Sequence, residues 1–236
     1  MGGKRMQEVL RQERKFLITT EEYYRLSYIL SNVMNEDSHN GLDGYQIRSL
    51  YFDSLDDRDY EEKEDGVECR RKIRLRTYDP KSSFAVLEMK QKQGSNQKKR
   101  SLRLNREDAM EVMRGNLSVL LKYPDPFARE CFGYMQMHVY RPKTIVEYTR
   151  RAFIAKENNI RITFDHHIIG TEHNLNIFDE NLSQYPLFDS YMVILEVKYN
   201  HFLLSYLKDV LNMADKSELS ISKYALARSV SKHYRY

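Results

Sequence analysis

Residues 68–92 read ECRRKIRLRTYDPKSSFAVLEMKQK, and two alternating runs within them decide how the fold is read. In Lys72-Ile73-Arg74-Leu75-Arg76 a cation recurs at every second position, with Ile73 and Leu75 between. In Leu87-Glu88-Met89-Lys90 a carboxylate and an ammonium alternate with apolar residues in the same way. Successive side chains of a strand point to opposite faces, so residues two apart share a side. Asp79-Pro80 marks a turn between the runs, because proline presets its own φ. The stretch predicts a hairpin, Glu68 to Tyr78 and Phe84 to Lys92, with one apolar face and one charged face.

The same chemistry recurs far away in the chain. Glu13-Arg14-Lys15-Phe16 and Leu195-Glu196-Val197-Lys198-Tyr199 each place Glu and Lys together on a single strand face. One such run by itself reads as a solvated sheet face with a cross-strand ion pair, worth under about 1 kcal/mol. Their recurrence predicts charged faces that line a pocket with many cations and a few carboxylates, a lining suited to polyphosphate. Burying several Lys and Arg without partners would exceed the total stability of a domain. Such a pocket therefore implies water, counter-charges and an anionic ligand.

Around these runs the chain alternates strands and helices. Val9 to Ile18 reads as a strand, and Thr19-Thr20-Glu21-Glu22 as a helix start with capping hydroxyls and acids in its first turn. Tyr45 to Asp53 is a strand, Asp56 to Asp65 a short helix closed by Gly66, and Lys98 to Leu104 a strand after Gly94-Ser95-Asn96. Residues 105–138 read as helical, with Asn105 or Leu104 before it as a cap and Pro124 and Pro126 as interruptions. Lys143 to Ala155, Ile160 to Phe164 and Met192 to Tyr199 return to strand, and His201 to Met213 and Ser222 to Tyr234 to helix. His166-His167 is read as a loop pair rather than a metal site, since neighbours on one strand point apart. About eight strands suffice for a small closed barrel. The fold expected is α+β, an antiparallel closed β-barrel with accessory helices at its ends and outside, and residues 1–236 forming a single domain.

Composition narrows the function classes. With 41% apolar and 31% charged residues the chain can build a core, which argues against disorder. Thirty-eight basic residues against 34 acidic ones leave a net charge of only +4, so a cationic site must be local and no nucleic acid is expected as a partner. Cys69 and Cys131 lack metal-ligand spacing, which suggests a reducing compartment and no structural zinc. No apolar stretch reaches transmembrane length and Met1 to Leu10 lacks a signal-peptide core, so the expected location is cytoplasmic.

Taken in order, Glu13-Arg14-Lys15-Phe16, Tyr51-Phe52-Asp53, Lys72-Ile73-Arg74-Leu75-Arg76-Thr77-Tyr78, Leu87-Glu88-Met89-Lys90, Arg150-Arg151-Ala152-Phe153, Ile160-Arg161-Ile162-Thr163-Phe164-Asp165, Leu195-Glu196-Val197-Lys198 and Ser222-Lys223-Tyr224 resemble the VTC domain. That is the polyphosphate polymerase domain of the vacuolar transporter chaperone family, a branch of the triphosphate tunnel metalloenzymes (CYTH-like). The resemblance implies a tunnel-like antiparallel barrel that moves the γ-phosphate of ATP onto a growing polyphosphate chain with a divalent metal, Mn2+ or Mg2+. It implies catalytic roles on the phosphates for Lys15, Arg74, Arg76, Lys90, Arg150 and Arg161, phosphate binding by Lys98, and metal binding by Glu196. Ser222 and Lys223 match a helix at the tunnel mouth, and Lys63 aligns with a further basic position. Lys72 and Lys198 join the set by strand parity, and Glu13 and Glu88 stand as helper ligands or counter-charges.

Physical chemistry agrees with such a set. Phosphoryl transfer needs positioning and charge neutralisation more than covalent work. Arginine offers phosphate a bidentate fork and lysine a point charge. Hydrolytic tunnel enzymes begin with Glu-x-Glu-x-Lys, whereas Arg11-Gln12-Glu13-Arg14-Lys15 carries a cation at the first position. One metal ligand is thereby lost, which favours the polymerase branch. Two further readings stand beside it, a metal-dependent tripolyphosphatase or nucleoside triphosphatase, and a non-catalytic polyphosphate-binding module.

Overall fold

The computed structural model describes residues 11–94, 96–218, 220 and 222–233. Val9 and Leu10 of the first expected strand, Ser95 of the expected turn and Tyr234 of the last expected helix lie outside the described residues. Among the described residues eleven strands and six α-helices follow one another: β1 Arg11–Thr19, α1 Thr20–Val33, β2 Asn35–Glu36, β3 Tyr45–Asp53, α2 Arg58–Glu64, β4 Cys69–Thr77, β5 Phe84–Gln93, β6 Asn96–Asn105, α3 Arg106–Met113, α4 Pro126–Met137, β7 Arg141–Ala155, β8 Ile160–Thr171, β9 Tyr185–Pro186, β10 Met192–Asn200, α5 Ser205–Asn212, β11 Ser217–Glu218 and α6 Lys223–His233.

Helix ends follow local chemistry. Thr19 and Glu22 form a capping box at the start of α1, each side chain engaging the other residue's backbone N–H. Asn105 caps α3 through the N–H of Asp108. Pro126 interrupts nothing: it occupies the first turn of α4, where its missing N–H is harmless, behind the Asp125 cap.

The chain divides into two compact units. The first contains residues 1–45, 149–167 and 188–220. Its strands run in the order β11-β1-β10-β8-β7, with β2 on β7. Its core joins Phe16 and Ile18 of β1, Leu26 and Leu30 of α1, Ile162 and Phe164 of β8, Leu195 and Val197 of β10, and Leu207 of α5. The second unit contains residues 46–148, 168–187 and 221–236. Here the order is β7-β3-β4-β5-β6. Leu50 and Phe52, Ile73 and Leu75, and Ala85, Leu87 and Met89 pack against Ala109 and Val112 of α3 and Cys131 and Met135 of α4. Helices thus cover the apolar side of β4 and β5, and alternation assigns Lys72, Arg74, Arg76, Glu88 and Lys90 to the other side.

The closed eight-stranded barrel is corrected. Eight strands span nine residues or more, as counted in the sequence, but β2, β9 and β11 have two residues each and bring the sheet to eleven. Among the described residues the hydrogen-bonded order ends at β11 and at β6 and does not close. Two-residue strands are too short to show alternation, which is why the sequence count missed them. The His166-His167 reading is corrected too, since both lie within β8. Among the described residues no helix is long and apolar enough to cross a membrane.

Candidate functional site

In the first unit, antiparallel register sets Lys15 opposite Glu196 and Glu13 opposite Lys198. Residues directly opposite share a face, so the four charges form an alternating square on β1 and β10. Lys15 Nζ lies 3.4 Å from Glu13 Oε1 and 3.5 Å from Glu196 Oε2. Lys198 Nζ donates to Glu196 Oε1. Burial alone would lower the pKa of the Lys15 ammonium, but Glu196 and Glu13 outweigh it and hold the pKa above the ordinary lysine value. Next to this square Arg161 lies opposite Lys198 on β8, donating to Asp37 Oδ2 at 2.7 Å and to the Tyr45 hydroxyl at 3.0 Å. Arg150 of β7 is held by a two-pronged pair, Nε to Asp165 Oδ1 at 2.6 Å and a terminal nitrogen to Oδ2 at 2.8 Å. Asp165 is fully buried, so this fork fixes the Arg150 guanidinium.

In the second unit, the organising group is Glu88, 4% exposed. Its Oε2 accepts from Arg74 Nε at 2.8 Å and from Arg76 at 2.7 Å, and Lys99 Nζ lies 2.6 Å from Oε1. Burial pushes the Glu88 carboxyl up, but Arg74 and Lys99 overcome it and hold the pKa below the usual range. Register sets Lys72 opposite Lys90 and Lys90 opposite Lys99, so three lysines line up across β4, β5 and β6. Arg74 also donates to the Tyr51 hydroxyl at 3.1 Å, and Arg76 to the Tyr78 hydroxyl at 3.0 Å.

Helix α6 brings two more expected residues to this unit's site. Lys72 Nζ donates to Ser222 Oγ at 2.6 Å, and the Lys223 ammonium sits 4.6 Å from the Tyr148 ring centroid. The helix is anchored by the Tyr224 hydroxyl on Asp53 Oδ2 at 2.5 Å and by Arg228 on Asp57 at 2.6 Å and Glu172 at 2.8 Å. Asp53 also accepts the backbone N–H groups of Ser54, Asp59 and Tyr60, tying the end of β3 to the start of α2.

The expected residues thus fall into two groups. Lys15, Lys198, Arg150, Arg161, Glu13 and Glu196 belong to the first unit, and Lys72, Arg74, Arg76, Glu88, Lys90, Ser222 and Lys223 to the second. Lys98 pairs with Gln91, and strand parity puts it on the face opposite Lys90 and Glu88. Lys99 is the β6 lysine that reaches Glu88. Lys63 lies on α2 rather than on a strand. Sequence reasoning passed over Lys99, Tyr51, Asp37 and Asp165 as partners. Only Lys99 carried a usable signal, its parity once the β5–β6 register is known.

The residues also bear on metal binding. Among the described residues no three His, Cys, Asp or Glu side chains come together as a metal-binding group. Glu13 and Glu196 do converge on one ammonium. Two carboxylates suit Mg2+ or Mn2+, ions that take one or two carboxylates and fill their remaining positions with water and phosphate oxygens. That donor set fits. Glu88, by contrast, already serves three cations.

The family model of the VTC domain matches residues 10–232. The chain belongs to the VTC domain family. Among curated proteins no match was found. Among solved structures, this VTC domain is similar to a Hippeastrum protein described as an adenylyl cyclase candidate with a dominant triphosphatase activity. The two are 15% identical with a TM-score of 0.59, covering 92% of this chain and 95% of the other. At that identity the likeness is one of fold, the triphosphate-tunnel (CYTH-like) type. A protein of Bacillus halodurans provisionally assigned as an adenylate cyclase is 12% identical with a TM-score of 0.48, covering 86% of this chain and 88% of its own. One from Vibrio parahaemolyticus, assigned likewise, is 12% identical with a TM-score of 0.49, covering 93% and 99%.

Proposed function

We propose that this VTC domain is a polyphosphate polymerase-like phosphotransferase, moving the γ-phosphate of ATP onto an inorganic polyphosphate chain. The observation that carries this reading is the charge balance on β4, β5 and β6. Arg74, Arg76 and Lys99 share the single carboxylate of Glu88, and Lys72 and Lys90 stand in the same rows. Cations outnumber carboxylates on this face, and such an excess attracts a polyanion.

In this reading Glu88 holds the two guanidiniums in place before substrate arrives. Arg74 and Arg76 then turn free N–H groups to phosphate oxygens, and Lys72 and Lys90 add point charges along the chain. Ser222 and Lys223, fixed through α6, contact the polyphosphate. Lys15, Lys198, Arg150 and Arg161 neutralise charge on transferring and leaving phosphate oxygens, with Arg150 held in place by Asp165. Glu13 and Glu196 would hold a divalent ion, which when bound supplies charge neutralisation to phosphate oxygens. Lys98 and Lys63 take outer roles, guiding the polyanion by charge alone. No side-chain nucleophile is required, because a terminal phosphate of the growing chain attacks.

The test is ATP turnover with Mn2+, with products resolved on a gel stained for long-chain polyphosphate and free phosphate quantified in parallel. Long chains with little free phosphate support the polymerase. Free phosphate without chains would replace it with a triphosphatase, and neither product would leave a polyphosphate-binding module.

A further inference from the structure

His166 and His167 occupy consecutive positions of β8, and alternation would send their rings to opposite faces. The structure breaks that rule at one residue. His167 takes φ of 49°, a left-handed conformation that costs a non-glycine residue of order 1 kcal/mol or more. The turned backbone brings the two rings to a centroid separation of 4.8 Å at 70°, with Nδ1 of His166 only 3.1 Å from Nδ1 of His167. His166 is 7% exposed and lies beside the Tyr23 ring at 5.1 Å, whereas His167 is exposed.

The second ring nitrogen of His166 settles its tautomer. Nε2 lies 3.3 Å from the Asp43 backbone carbonyl, an oxygen that can only accept, so Nε2 carries the proton and Nδ1 is left with a lone pair. An imidazole that donates one N–H to a backbone carbonyl and presents the other nitrogen bare is the usual state of a metal-ligating histidine. Two metal–imidazole bonds of about 2.0–2.1 Å, meeting between a right angle and the tetrahedral angle, put their nitrogens about 2.8–3.4 Å apart. The observed separation lies inside that range.

We infer that His166 and His167 form a binding site for a divalent transition ion of the imidazole-preferring class, Cu2+, Ni2+ or Zn2+, through their two Nδ1 atoms. The site is separate in its chemistry from the carboxylate pair Glu13 and Glu196, whose oxygen donors suit Mg2+ or Mn2+. Without the ion, His167 Nδ1–H donates to His166 Nδ1. With the ion, His167 moves its proton to Nε2, so neutral rings bind with no net proton release. Burial, and then His167, hold the His166 pKa below the ordinary histidine value, which keeps that ring neutral and ready to ligate. The neighbouring carboxylate of Asp165 is engaged by Arg150, so water completes the coordination.

The test uses Cu2+, which binds nitrogen sites most tightly among these ions, titrated into the 236-residue protein and followed by calorimetry and electron paramagnetic resonance. One ion per chain coupled to two imidazole nitrogens is expected. His167→Asn, which tolerates left-handed backbone, and His167→Ala should each weaken binding at least tenfold and reduce the coupling to one nitrogen. His39→Ala, which removes a histidine paired instead with Asp37, should leave affinity and coupling as in the wild type. Unchanged affinity and coupling in both His167 variants, or fewer than two coupled nitrogens in the wild type, would overturn the inference.

Discussion

The face shared by β1 and β10 and the face shared by β4, β5 and β6 are built from the same alternating strand pattern, yet their charge balance differs. On the first, Glu13, Lys15, Glu196 and Lys198 form an even square in which each cation has a carboxylate neighbour. On the second, Glu88 serves Arg74, Arg76 and Lys99, with Lys72 and Lys90 in the same rows. A balanced square can exchange one of its cations for a metal ion. A cation-rich face gains by taking up a polyanion. Strand alternation delivers charge to a face, and the ratio of the two signs decides what that face can bind.

The largest expected effects fall on the cation-rich face. Arg74→Ala or Arg76→Ala should weaken tripolyphosphate binding about 100-fold or more, read by calorimetry, because each removes a phosphate-directed fork. Glu88→Gln should cut the other way. It removes the shared counter-charge, so the folded state should lose about 3 kcal/mol in denaturant titrations, near the low end for breaking a buried pair because Lys99 is half exposed. The same variant should bind tripolyphosphate at least as tightly as the wild type at low salt.

Acid and alkaline unfolding should separate the two faces. The folded-state pKa of Glu88 is depressed, so its contribution is present above the unfolded value of 4.5 and lost as pH falls through the folded value. The Lys15 pKa is raised, so its contribution is present below 10.5 and lost as pH climbs through the folded value. Stability curves should therefore lose the acid limb in Glu88→Gln and the alkaline limb in Lys15→Met. A second carboxyl, that of Asp59, has the opposite sign to Glu88. Burial beside Asp53 pushes the Asp59 pKa up to about 8, so the fold binds its proton more tightly than the unfolded chain and stability declines from pH 3.8 to about 8. Asp59→Asn should flatten that decline. The smallest effect is expected off both faces: Glu218→Ala breaks an ion pair with Arg14 that is about half exposed on each side, and should change stability by under about 1 kcal/mol.

Much of this architecture was readable in the chain. Alternation located the eight long strands, β8 only as far as Phe164, Asp79-Pro80 marked the hairpin, and Thr19-Thr20 and the 104–105 pair marked two helix starts. Pairing order was not readable, because alternation says which residues share a face and not which strand lies alongside. The partners of Arg150 and Arg161 were hidden for the same reason: Asp165 and Asp37 come from β8 and from the segment after β2, and neither carries a motif of its own. Lys98 and Lys99 could not be told apart without the β5–β6 register. His167 escaped because a single residue with positive φ reverses the parity on which the reading relied.

The central claim is that the cation-rich face holds the phosphate chain while the carboxylate square serves a divalent ion. Tripolyphosphate binding measured by calorimetry in excess chelator, on the wild type, Arg74→Ala and Glu196→Gln, addresses it most directly. The account predicts that Glu196→Gln binds within a few-fold of the wild type while Arg74→Ala does not bind measurably. Equal loss of metal-free binding in both variants, or full retention in Arg74→Ala, would contradict it.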